Sequence, residues 1–84
     1  MPSYEVYIHI ALLEVVPRTG LKRRKILDFI SQLREHPDTP GDFTDKDASG
    51  RERQIKIIGD YAITYWSDAP VKRVMVVDVS LADK

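Results

Sequence analysis

The stretch RERQIKIIGDYAITYWSDAPVKRVMVVDV, residues 51–79, decides the fold. It holds three runs rich in β-branched and aromatic residues, 53–58, 61–66 and 71–79, separated only by Gly59-Asp60 and Ser67-Asp68-Ala69-Pro70. Runs of this length with turn residues between them predict a meander of three antiparallel strands. The first turn needs a positive φ, which Gly59 adopts without a Cβ clash, and Pro70 presets φ in the second. Within the strands, Ile55 and Ile57 point one way and Gln54, Lys56 and Ile58 the other; Tyr61, Ile63 and Tyr65 likewise oppose Ala62, Thr64 and Trp66. The last run differs, because Val74, Met75, Val76, Val77 and Val79 are apolar on both faces. That pattern predicts a strand with neighbours on both sides.

Working outward, residues 4–10 alternate, with Tyr4, Val6, Ile8 and Ile10 against Glu5, Tyr7 and His9. This is a half-buried strand, and it is the expected second neighbour of the last run. The segment ALLEVV, 11–16, fits a continued strand or a short helix, either of which ends at Pro17. Thr19 is a suitable N-cap for a helix reaching His36, the residue before Pro37. Leu21, Ile26, Phe29, Ile30 and Leu33 recur at helical spacing with Leu27 on the flank, so this stripe should lie on the sheet. Burial of six such side chains would contribute roughly 1.5–3 kcal/mol each before entropy is subtracted. Residues 37–50, PDTPGDFTDKDASG, read as a loop, with Phe43 as a staple onto the body of the domain. The expectation is a single α/β (α+β) domain over residues 1–84, with a four-stranded sheet, one long helix and a short helix or strand extension before it.

Eighty-four residues suffice for one core and not two. Apolar residues make up 43% and charged residues 31%, with no run approaching the roughly 20 apolar residues of a membrane span. The N-terminus lacks a basic leader-like segment and reads straight into a strand, so a cytoplasmic protein is expected. Cysteine is absent from the sequence, which removes thiolate nucleophiles, disulfides and cysteine metal sites. His9 and His36 stand at no ligand spacing from an acidic cluster, and Asp38, Asp42, Asp45 and Asp47 lack the alternation, central glycine and closing glutamate of a calcium loop. Neither a metal nor another cofactor is expected. The sequence has neither a nucleophile elbow nor a glycine-rich phosphate loop, which argues against an ordinary metabolic enzyme.

Thirteen basic side chains balance thirteen acidic ones, so the whole molecule lacks the positive field of a dedicated nucleic-acid binder. The basic residues nevertheless gather at 18–25, 51–56 and 72–73, and would form one basic face if the fold brought the three groups together. The run LKRRK, with Lys22 and Arg23, reads either as a phosphate contact or as the solvated side of an amphipathic helix. Arg51, Arg53 and Lys56, with Tyr61, Tyr65 and Trp66, form a stronger candidate, since cations on strands hold phosphates while rings stack on bases. Competing structural roles exist for the rings. Tyr61 and Tyr65 share a face with Ile63, and Trp66 suits a protein interface equally well.

Taken together, the first strand, the helix stopped by a proline, the loop and the meander resemble the RelE/ParE superfamily of toxins from bacterial toxin–antitoxin modules. The specific part is IKIIGDYAITY, 55–65, followed by the valine-rich strand. The resemblance implies a small α/β toxin, neutralised by a cognate antitoxin, that acts as a ribosome-dependent, metal-independent mRNA endonuclease or as a gyrase poison. It assigns Arg53 and Lys56 to the catalytic position on the first meander strand; Arg51, Arg73, Lys22 and Arg23 are candidate RNA contacts from their charge alone. Ala62 stands where the Gly-Asp-Tyr-Arg form of the motif has its arginine, and residues 78–84 contain none of the usual His, Arg or Tyr. Metal-free cleavage through the 2′-hydroxyl needs a base, a cation for the phosphorane and an acid, and only Glu52 is a candidate for proton transfer. Three readings follow: a ribonuclease with a reduced basic site; a protein of this fold that acts by binding gyrase or another protein, or has lost toxicity; and an α/β interaction module unrelated to toxins.

Overall fold

The computed structural model describes residues 4–82. Its elements run β1 (Glu5–Ile8), α1 (Ile10–Leu13), α2 (Gly20–Gln32), β2 (Phe43–Lys46), β3 (Glu52–Ile58), β4 (Tyr61–Asp68), a 3-10 turn (Ala69–Val71) and β5 (Arg73–Leu81). The strands form one sheet in the order β1-β5-β4-β3-β2, with β1 parallel to β5 and every other pair antiparallel. The meander is β3-β4-β5, turned at Gly59 with φ of 61°, and β5 has β1 as its second neighbour, both as the sequence predicts.

The strand count does not follow the expectation. Five strands are present, because β2 forms inside the segment read as a loop and pairs along β3 from Phe43↔Ile55 to Lys46↔Glu52. Phe43 is correspondingly no staple. It sits on an edge strand, 60% exposed, on the side of the sheet away from the helices.

The core lies between the sheet and α2. Ile26, Phe29, Ile30 and Leu33 of the helix segment meet Ile63 and Tyr65 of β4 and Val74, Val76 and Val79 of β5, with Val16 closing one end and Leu12, Val6 and Ile8 packed around it. Phe29 meets Tyr65 edge to face, with ring centroids 5.5 Å apart. Leu21 departs from the predicted stripe and is 64% exposed. It stands roughly a third of a turn around the helix from the centre of the buried residues, a separation that spacing by threes and fours conceals. Helix α2 stops at Gln32 rather than His36; the N–H groups of Leu33, Arg34 and Glu35 bond three residues back and tighten the last turn before Pro37. At the other end Thr19 occupies the N-cap without a side-chain cap bond. ALLEVV resolves as the short helix α1, beginning at Ile10, and the His9 Nδ1 accepts the Ala11 N–H at 3.0 Å to cap it.

One irregularity sets which valines are core. Tyr65 pairs with Val76 but Thr64 pairs with Asp78, so Val77 is an extra residue in β5. The bulge returns Val79 to the side already occupied by Val74 and Val76, and leaves Val77 exposed.

Candidate functional site

Strand parity decides how the candidate residues are grouped. In register, Gln54 faces the same side as Tyr65, and Lys56 the same side as Ile63, which is the helix-covered side. Arg53 therefore projects from the opposite, open side, opposite Asp45 of β2. The two residues assigned to one catalytic position are on different faces of β3. Arg51 joins Arg53 on the open side, where its guanidinium lies 3.9 Å from the centroid of Trp66. Arg73 is there too, 4.9 Å from the centroid of Tyr7.

The basic helix is elsewhere. Lys22 pairs with Asp60 of the β3-β4 turn at 3.2 Å, and Arg23 donates to the Pro17 carbonyl at 3.1 Å. Thus the structure brings Arg51, Arg53 and Arg73 onto one face and does not bring Lys22, Arg23 or Lys56 to them. The three basic groups of the sequence do not merge into a single basic face.

Each candidate cation on β3, and Arg51 just before it, also meets a carboxylate from the preceding segment. Arg53 Nε and Nη2 donate to the two oxygens of Asp45 at 2.9 and 2.8 Å. Arg51 Nη1 reaches Asp47 at 3.3 Å, and Lys56 Nζ stands 3.8 Å from Asp42. The forked bond from Asp45 raises the Arg53 pKa above its ordinary value, with the charges of Asp47 and Asp78 adding to it. Asp47 is held below the usual carboxylate range, first by the Ser49 hydroxyl and then by the Arg51 backbone N–H. A phosphate approaching this strand would meet cations whose donors already face oxygens.

On the helix side, a shallow cleft of about 280 Å³ is lined by Asp38, Thr39, Glu52, Gln54 and Tyr65, among others. Its floor is fixed by Tyr65, which is 1% exposed and donates its hydroxyl to the Thr39 carbonyl at 2.9 Å. Burial first, and then the Asp42 carboxylate, push this phenol up to about 12, so at neutral pH it serves as a hydrogen-bond donor and not as a base. The segment over β3 approaches closely enough to exclude any side chain at Gly41, where a Cβ would lie 2.5 Å from the Ile55 carbonyl oxygen. Gly41 N–H bonds to Gln54 Oε1 at 2.9 Å, and Asp42 N–H to the Ile55 carbonyl at 2.8 Å. Ala62, at the position of the motif arginine, faces the open side opposite Ile57 and Ser80. Asp78 and Ser80 also face that side, while residues 83–84 of the C-terminal tail lie outside the described residues.

Neither a family model nor a curated protein sequence matches this chain. Among solved structures it is similar to a chain in the crystal structure of the archaeal RelE–RelB complex from Pyrococcus horikoshii OT3. The TM-score is 0.76 at 16% sequence identity, and the match covers 96% of this chain and 97% of that one. The chain has that fold over nearly its full length.

Proposed function

We propose that this chain is the toxin-like component of a type II toxin–antitoxin pair, held inactive by a cognate antitoxin and acting in the cytoplasm. The observation that carries the reading is the fold likeness at TM-score 0.76, which spans both chains almost completely. The neighbouring protein was crystallised as a RelE–RelB complex, and by analogy a protein partner is assigned here.

For the mode of action, binding to a target such as gyrase or another protein is the better supported reading. Metal-free RNA cleavage gathers a base, an acid and a cation around one phosphate. Arg53 and Lys56 stand on opposite sides of β3, and each faces its own carboxylate. A second reading, ribosome-dependent mRNA cleavage, draws on the helix side alone, where Glu52 and Gln54 line the cleft and Lys56 follows on the same side of the strand.

Expression of the chain alone should slow growth, and co-expression of the small protein encoded beside it should restore it. Unimpaired growth at high soluble expression would remove the toxin reading. Intact ribosome-bound mRNA in arrested cells supports action by binding, whereas cutting that disappears on Lys56→Ala but persists on Arg53→Ala would establish the helix-side nuclease instead.

A further inference from the structure

We infer that the open face of the sheet is a docking surface for a partner protein segment that presents apolar side chains together with lysine or arginine. Both helices pack on the other side, since Leu12 of α1 and the stripe of α2 belong to the one core with Ile63, Tyr65, Val74 and Val76. Among the described residues no second layer covers the open side. Yet that side is not built for water. Across the strands, Trp66 and Tyr7 both pair with Met75, with the Arg51 guanidinium 3.9 Å from the first ring and that of Arg73 4.9 Å from the second; further along the same side Ile55 pairs with Phe43, and Ile57 with Ala62. Tyr7 is 42% exposed, and an apolar row of this kind on an uncovered sheet marks an interaction site.

The charges on the same face select the occupant. Among the described residues, register and contacts place three guanidiniums there, Arg51, Arg53 and Arg73, against five carboxylates, Glu5, Asp45, Asp47, Asp68 and Asp78. Asp47 and Asp45 engage Arg51 and Arg53, and Arg73 sits in register between Asp68 and Glu5 with Asp78 further along its own strand. The surplus is negative. A nucleic-acid backbone would be repelled, and a second copy apposing the same face would bring like surpluses together. A segment with apolar side chains over the Tyr7–Met75–Trp66 row and cationic groups at Glu5 and Asp78 satisfies both features. The toxin reading is not needed for this, because the surface chemistry carries it unaided.

The chain's single tryptophan, Trp66, lies on this face and reports its occupancy. Its emission is titrated with a short alternating leucine–lysine peptide, the leucine–glutamate counterpart and an oligouridylate, while sedimentation follows self-association. The expected result is a saturable shift with the lysine peptide alone. Glu5→Gln with Asp78→Asn should weaken it by roughly fivefold, as expected for two exposed charge pairs. Asp28→Asn, on the exposed side of α2, should not change it. Asp78→Asn alone serves as a second variant, and circular dichroism checks that each one folds. Equal or tighter binding of oligouridylate or the glutamate peptide overturns the proposal. So do the lack of a shift with any probe, a Trp66 change that follows self-association without peptide, and equal losses from Asp28→Asn and the open-face pair.

Discussion

Replacing Tyr65 with phenylalanine tests how the cleft is held together, and its effect should change sign with pH. The ring of Tyr65 packs on Phe29 and would survive the change; only the hydroxyl bond to the Thr39 carbonyl is lost. Losing a neutral hydrogen bond and leaving its acceptor half-buried costs about 1–2 kcal/mol, or a melting temperature lower by roughly 5–10 °C for a domain of this size. At alkaline pH a second effect opposes it. The Tyr65 pKa is raised from 10.0 to about 12, so the folded chain favours the neutral phenol more strongly than the unfolded chain does. Its contribution is complete below pH 10 and is lost as pH rises through about 12, a decline of about 3 kcal/mol that the phenylalanine variant does not share. Other titrating groups act alike in both proteins. Urea unfolding across the alkaline range should therefore show wild type the more stable at pH 7, with the difference shrinking above pH 10 and reversing at about pH 11. Parallel stability curves would refute the buried, hydrogen-bonded phenol as the cause.

Gly41→Ala should destabilise the fold by about 2–3 kcal/mol, seen as a lower urea midpoint, because the new Cβ meets backbone atoms of Ile55 that cannot step aside; an unchanged midpoint would mean that the segment is not seated on β3. Asp45→Asn with Asp47→Asn should lower the urea midpoint only slightly, since both ion pairs are at the surface and an asparagine oxygen can still accept the turn hydrogen bonds of Asp47. The same double variant should gain several-fold affinity for an oligouridylate, with a steeper salt dependence, as two guanidiniums lose their internal anions; unaltered RNA affinity would show that these carboxylates do not mask the strand.

The meander was legible because its signals are apolar and local: alternation over 53–58 and 61–66, and a glycine where the turn requires positive φ. Strand β2 was hidden for the opposite reason. Its four residues, FTDK, bury nothing against the core, and composition assigned them to the loop. A usable signal did exist in the charges. Asp42, Asp45 and Asp47 are mirror-spaced about Ser49 with Lys56, Arg53 and Arg51, the arrangement that a hairpin needs to set opposite charges side by side. The bulge at Val77 had no such sign, since Val74 to Val77 are all apolar and any register would bury some of them.

The same pleat that made the strands readable undid the grouping of the candidate site. Proximity in sequence collected Arg51, Arg53 and Lys56 into one basic cluster, but an interval of three along a strand changes face while an interval of two does not. Arg51 and Arg53 consequently share the open side with Trp66, and Lys56 joins Gln54 on the other. The acidic hairpin then supplies a carboxylate to each, from Asp47, Asp45 and Asp42. A fold of this kind can keep its backbone while its cations serve its own edge strand. What the open face offers is a row of rings and aliphatic groups, two of the rings flanked by guanidiniums, with a negative surplus, a surface matched to a protein with basic side chains better than to a phosphate chain.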